Sequence, residues 1–203
     1  MSEPLHPAEV RVLGALLEKE ITTPEYYPLT VNALVNACNQ KSNRDPVVNY
    51  TEEIVQQALA LLRHQGFAVR ISGAGHRVEK YGHLLGEKLN LGRRESALLC
   101  MLMLRGPQTV GELRGRTERM YEFTELADVE HCLQSLSTRE PEPLVASMPR
   151  GRWTHLLAGV PDPTAAHEDP PAPSSDIENR LSALEREVAD LKRMLESFRR
   201  QFE

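Results

Sequence analysis

Apolar positions fall at helical spacing in three segments, and the three recur in the same order further along the chain. Leu13, Leu16 and Leu17 follow Glu9 at the intervals at which Leu99, Leu102 and Met103 follow Glu95, the three-and-four periodicity of an amphipathic helix. Thr30-Val31-x-x-Leu34 returns as Thr109-Val110-x-x-Leu113. Each threonine is placed to cap a helix, and Glu112, three residues after Thr109, completes a capping box. Val55, Leu59 and Leu62 return as Val129, Leu133 and Leu136. The offsets are 86, 79 and 74 residues, so the second copy is the first with loop residues removed. Three helices matched in order mark an internal repeat.

After the third helix each copy changes period. Phe67-Ala68-Val69-Arg70-Ile71-Ser72 and His76-Arg77-Val78-Glu79-Lys80-Tyr81 flank Gly73-Ala74-Gly75, and alternation around a glycine-bearing turn predicts a β-hairpin. Leu144-Val145-Ala146-Ser147-Met148, a turn at Pro149-Arg150-Gly151, and Arg152-Trp153-Thr154-His155-Leu156-Leu157 predict a second. The segment His83 to Asn90 reads as a short helical joint. Three helices followed by a two-stranded hairpin is the order of a winged helix-turn-helix, whose third helix can enter the major groove while the hairpin lies over the backbone. The expected fold class is α+β: two tandem winged-helix domains, residues 4–90 with the joint and 91–159.

Beyond Gly159 the composition shifts. Pro161, Pro163, Pro170, Pro171 and Pro173 predict an extended linker over residues 160–175. Over residues 176–203 the steps alternate between four and three: Ile177, Leu181, Leu184, Val188, Leu191, Leu195, Phe198 and Phe202. This seam of about four heptads, with Asp176 as N-cap, predicts a coiled-coil helix. So narrow an apolar stripe gains little alone, which predicts self-association, most simply as a homodimer. Parallel pairing brings Arg180 to Glu185 and Glu187 to Lys192; antiparallel pairing brings Glu178 to Arg199 and Glu185 to Lys192. A helix folded back on its own domains is the alternative.

The 203 residues carry a net charge of −5, nearly all of it in the tail. Residues 1–90 balance at −1, residues 91–160 at 0 and residues 161–203 at −4. A neutral globular part neither repels nucleic acid strongly nor advertises affinity for it, so any DNA contact rests on local patches. No apolar run approaches the length of a membrane span; the longest, Leu98 to Leu104, predicts a core helix. The opening MSEPLHPAEV has neither the basic nor the apolar region of a secretory signal. Cys38, Cys100 and Cys132 form no Cys-x-x-Cys pair, and each sits in an apolar helical pattern. A reduced, cytoplasmic chain is expected, without a membrane partner.

The residues offer no constellation for catalysis. The chain lacks a phosphate loop, the H-E-x-x-H pair and the G-x-S-x-G elbow. Gly73-Ala74-Gly75 has no following helix to hold a pyrophosphate. His131 and Cys132 are neighbours on a helix and so face different ways, and no further metal ligands stand at suitable spacing. The expectation is a non-enzymatic protein with no cofactor and no metal.

The run Ala37-Cys38-Asn39-Gln40-Lys41-Ser42-Asn43-Arg44-Asp45-Pro46-Val47 is too particular for helix and turn constraints alone, and it resembles the bacterial YceH family. Leu16-Leu17-Glu18-Lys19 and Thr22-Thr23-Pro24-x-Tyr26-Tyr27-Pro28-Leu29 support the resemblance, which covers about residues 4–160. It implies a tandem winged-helix fold and brings no activity or ligand.

Two functions fit such a fold. For double-stranded DNA, Lys41 and Arg44 in the loop before the third helix are expected at phosphates. Asn43, Asn49, Tyr50 and Gln56 are expected at phosphates or base edges, with Arg70, His76, Arg77 and Lys80 on the first wing. Arg150, Arg152 and His155 decorate the second wing, and Arg114, Arg116 and Arg119 precede the second copy's third helix. Alternatively Arg44 pairs with Asp45 or caps a helix end. Against DNA stand Glu52 and Glu53 in the first copy and Glu122, Glu125, Asp128 and Glu130 in the second, so no groove insertion is expected of the second copy. Those acids favour the other function, an adaptor gripping a protein segment, for which Tyr26, Tyr27 and Tyr50 are candidate contacts.

Overall fold

The threonines predicted as caps fix where the helices begin. In the computed structural model, which describes residues 3–71 and 78–160, the Thr30 hydroxyl accepts from the Ala33 N–H at 3.3 Å and opens α2 (Val31–Cys38). Thr51, not among the predicted caps, opens α3 (Glu52–His64) in the same way by accepting from Ile54. Thr109 and Glu112 exchange side-chain bonds with each other's backbone at 3.3 and 2.9 Å. That capping box starts α6 (Val110–Thr117). α1 (Pro7–Thr22), α5 (Arg93–Arg105) and α7 (Leu126–Ser137) complete the matched helices, and α4 (Leu85–Leu89) forms the joint. Seven α-helices and two small sheets among the described residues make an α+β fold.

Both hairpins form, with boundaries that differ from the sequence pattern. β1 (Ala68–Ile71) pairs antiparallel with β2 (Lys80–His83), Arg70 opposite Tyr81. The second strand thus runs on to His83, two residues past the end its alternation suggests, and Tyr81 is also held from its other side. Its backbone N–H and C=O bond Leu29 at 2.8 and 3.0 Å. In the second copy β4 (Val145–Met148) pairs with β5 (Arg152–His155), and β5 also pairs with β3 (Gln108–Thr109). The same device recurs: the residues just before the helix-capping threonine lie against the hairpin's second strand.

The first helix of each copy is central. Residues 9–18 of α1 and 96–104 of α5 are all buried, so neither helix keeps a solvent face through its middle. The two pack on each other at counterpart positions. The Cys100 thiol donates to the Gly14 carbonyl at 3.4 Å, and these residues are each other's equivalents, 86 apart. A Cβ on Gly14 would stand 3.0 Å from Leu104 Cδ2 and 3.2 Å from Met103 Cβ, so any side chain here makes those neighbours give way. Residue i meets the counterpart of j, and Cys100 in turn feels the charge of Glu18, the counterpart of Leu104. Reciprocal contact of this kind is what an approximate two-fold relation produces.

The stripes Val55, Leu59, Leu62 and Val129, Leu133, Leu136 are all buried, and the apolar side chains of both copies merge into one core. Residues up to Pro161 form one compact unit. The Leu5 N–H also donates to the Leu157 carbonyl at 2.8 Å, tying the start of the first copy to the end of the second. Residues 162–203 are a separate unit. The linker from residue 161 on and the heptad positions Ile177, Leu181, Leu184, Val188, Leu191, Leu195, Phe198 and Phe202 lie outside the described residues, as do His76 and Arg77 on the first hairpin.

Candidate nucleic-acid interface

The segment 37–47 determines which of the predicted contacts face outward. Arg44, expected at a phosphate, is instead buried at 5% exposure. Its guanidinium donates to Glu18 at 2.6 and 3.1 Å, to the Ala37 carbonyl at 2.9 and 3.1 Å, to Gln40 at 2.9 Å and to its neighbour's carbonyl, that of Asn43, at 2.8 Å. The physical reason is local. Asn43 takes a left-handed φ of 56° and turns the chain, so that Arg44 points inward at the end of α2. There it meets the open C-terminal carbonyls that a cation satisfies. It caps a helix end, as the alternative reading held, but its carboxylate partner is Glu18 rather than Asp45.

Burial alone would raise the Glu18 carboxyl. The hydrogen bonds and charge of Arg44, helped by Lys19, outweigh it and hold the group below the usual carboxylate range. Arg11, also buried, donates to the Cys38 and Pro46 carbonyls at 3.1 and 2.7 Å. Across the copies, the Asp45 N–H donates to the Leu104 carbonyl at 2.9 Å and Arg105 to Asn43 Oδ1 at 3.0 Å. The most distinctive run in the sequence is therefore a clasp that fastens the α2–α3 loop to α1 and α5.

The clasp leaves Lys41 and Asn49 exposed on the loop. Asn43 is exposed with its side-chain amide oxygen committed to Arg105. Tyr50 is half-buried, its backbone N–H and C=O both bonded to the Asn39 amide at 2.8 Å. Gln56 is exposed on α3 and donates to Glu52 at 2.9 Å. Arg70 is exposed on β1 and paired with Glu79 at 2.5 Å, and Lys80 is half-buried on β2. Of the tyrosines, Tyr26 is exposed, whereas the Tyr27 phenol is turned inward and accepts from the His83 N–H at 2.7 Å. Burial raises the Tyr27 pKa.

Two residues that the sequence reading passed over belong with this set. Arg63 and His64 end α3 on its exposed side. With Ala60, Ala68, Val69 and Arg70 they line a groove of about 520 Å³ between the helix and β1. Helical spacing carries the signal: Gln56, Ala60 and Arg63 with His64 fall on one face, four and then three or four residues apart.

Three arginines of the second copy, Arg114, Arg116 and Arg152, bond within that copy. Arg114 donates to the Phe123 and Thr124 carbonyls, and Arg116 to Gln108 at 2.8 Å and Glu112 at 3.1 Å. Arg152 donates to the Pro107 carbonyl at 3.0 Å. His155, read as a wing residue, is largely buried, its Nδ1 without a hydrogen-bond partner among the described residues, and burial pushes its pKa down to about 4. Beside α7, Glu118, Glu122, Glu125 and Glu130 stand exposed. Cys132 is buried and His131 exposed, with Cys132 pushed up to about 11. Among the described residues no group of three or more His, Cys, Asp or Glu is arranged to hold a metal ion, and no helix is long and apolar enough to cross a membrane.

Fold and site together define an α+β protein built from a twice-used helical unit, with a polar helix face beside a cationic groove on the first. The family model for a protein of unknown function, DUF480, matches residues 5–152, and the chain belongs to that family. It is 55% identical to a UPF0502 protein of Solibacter usitatus, over 98% of both chains. A UPF0502 protein of Opitutus terrae is 50% identical over 93% of this chain and 83% of its own. One from Geotalea uraniireducens is 49% identical over 98% of both.

Proposed function

We propose that this DUF480 member is a non-enzymatic tandem winged-helix protein, of the kind its YceH resemblance implies, that binds double-stranded DNA through its first copy. One observation carries the reading. The outward face of α3, with Glu52, Glu53, Gln56, Gln57, Ala60, Arg63 and His64, is exposed between the Lys41–Asn49 loop and the hairpin bearing Arg70 and Lys80. A helix bare on one face and flanked by cations is the arrangement that groove entry requires. Arg44 takes no part in contact; through the clasp it positions the loop. Asn43 and Tyr50 serve mainly the same end, leaving Lys41, Asn49, Gln56, Arg70 and Lys80 as contacts, with Arg63 and His64 added.

The test is fluorescence anisotropy of a mixed-sequence duplex titrated with the full chain across a salt series, beside Lys41→Ala and Asn49→Ala. Binding that weakens steeply with salt, and further in both variants, supports the reading. No binding at low salt, where non-specific dissociation constants of about 10⁻⁴ to 10⁻⁶ M should tighten, refutes it.

A protein-binding role is favoured by one specific feature of the same surface. Leu61, Ile71 and Val78 are 46%, 41% and 59% exposed, near a helix that opens with two glutamates. An adaptor binds a protein segment there and leaves the duplex untouched in the same titration. The proposed homodimer rests on the heptads of residues 176–203, and Leu184→Asp with Leu191→Asp should lower the mass seen by light scattering. An unchanged mass would count against the tail as the dimerising element.

A further inference from the structure

The groove at the end of α3 has a charge arrangement that exposure alone does not explain. Its floor is small and apolar, Ala60 and Ala68, so a ligand can come close to the backbone. Arg63 and His64 rise on one side and Arg70 on the other. The carboxylate paired with Arg70 is that of Glu79, in the segment entering β2. It accepts from Arg70 at 2.5 Å and from the Tyr81 hydroxyl at 2.9 Å, and it lies in the field of Arg63 as well. Two guanidiniums thus stand at the rim with one of them paired to a carboxylate, a surplus of positive charge there.

The carbonyl end of α3, which would repel an anion, is covered: Lys88 Nζ donates to the Gln65 carbonyl at 2.6 Å and sits over the Phe67 ring. The Arg70–Glu79 pair is exposed on both sides, and exposed pairs hold each other only weakly. An incoming anion can therefore take over Arg70 at small cost. Guanidinium forks match phosphate oxygens bidentately.

We infer that this groove binds one backbone phosphodiester of duplex DNA without regard to base sequence, and that Glu79 is a built-in competitor that holds the affinity down. The inference rests on the DNA-binding reading above and adds to it a sequence-independent anchor at the opposite end of α3 from the Lys41–Asn49 loop. Arg63 and Arg70 hold the phosphate oxygens, His64 lines the same wall, and Glu79 keeps Arg70 in place when the groove is empty of nucleic acid.

The experiment uses the full chain and two duplexes of unrelated sequence, with Arg63→Gln, Arg70→Gln and Glu79→Gln, each checked by circular dichroism. Each arginine variant should make the slope of log K against log salt shallower by about 0.9, the signature of one lost phosphate contact. The loss in affinity should be equal on both duplexes. Glu79→Gln should tighten binding on both, an opposite sign that a merely damaged fold cannot give. Wild-type binding with slopes unchanged in the arginine variants overturns the phosphate anchor and leaves DNA binding standing. An unequal loss on the two duplexes assigns these residues to base reading and also overturns it. Absence of binding to either duplex at low salt overturns both readings.

Discussion

Replacing Arg44 by alanine should cost far more than the loss of a surface charge. The side chain is fully buried and makes six hydrogen bonds, two of them to the largely buried carboxylate of Glu18. Removing one partner of a buried ion pair costs about 3–5 kcal/mol, because the other charge is left without compensation. Lys19, at 3.2 Å from Glu18, relieves part of that, which places Arg44→Ala near the lower end, at about 3 kcal/mol. Against a typical stability of about 5–15 kcal/mol this is a large share. With a urea m-value of about 2–3 kcal/mol/M, the midpoint should fall by about 1–1.5 M without a change in m. Acid supplies a second signature. With Arg44 present the Glu18 pKa lies below its unfolded value, so its stabilisation is full at neutral pH and is lost as pH falls through the folded value. Without Arg44 burial dominates and the sign reverses, so the deficit of the variant should shrink on acidification. Glu18→Leu, which copies the Leu104 found at the counterpart position, should cost less in combination with Arg44→Leu than the two changes cost separately. Urea titrations across pH would measure all of this, and a deficit below about 1 kcal/mol, independent of pH, would refute the account of Arg44 as a buried clasp.

Gly14→Leu should force α1 from α5, since even a Cβ there meets Met103 and Leu104 within 3.2 Å; overpacking costs about 1–3 kcal/mol or more, and an unchanged Tm would refute the close approach. His155, with a pKa of about 4 in the fold against 6.5 unfolded, contributes stability that is full above 6.5 and lost as pH falls toward 4, amounting to about 3 kcal/mol. His155→Phe should flatten the stability profile between those limits, and an NMR titration placing the His155 pKa near 6.5 would sink the assignment. Burial pushes the Cys38 thiol up to about 12 and holds Cys100 well above its ordinary value; all three cysteines should resist a thiol reagent at pH 8 until urea is added, and rapid modification of the native chain would contradict that.

The helices and their caps were legible because periodicity and capping are local. Thr30 and Thr109 needed only their next three residues to declare themselves. β3 was not legible: two residues, Gln108 and Thr109, are too short to alternate, and they become a strand only because β5 lies beside them. The bridge from Leu29 to Tyr81 has the same origin, since the two lie 52 positions apart in the chain. Arg44 shows the limit most sharply. Its neighbours Asn43, Asp45 and Pro46 have the chemistry of an exposed turn, and nothing local reveals that Glu18, 26 residues earlier, faces inward to receive it. Arg63 and His64 lie within reach of helical spacing from Gln56, but that they face Arg70 depends on β1 lying beside the helix.

The reciprocal packing of α1 on α5 has a consequence for how such a chain can change. In a homodimer one gene writes both halves of the interface, so every substitution appears twice and must suit both sides at once. Here the halves are written separately, glycine on one side of the crossing and cysteine on the other. The second copy is therefore free to grow acidic beside α7, while the first keeps Lys41, Arg63 and Arg70 exposed. Assembly of the pair needs no second molecule, so it holds at any protein concentration. The duplication trades symmetry for division of labour.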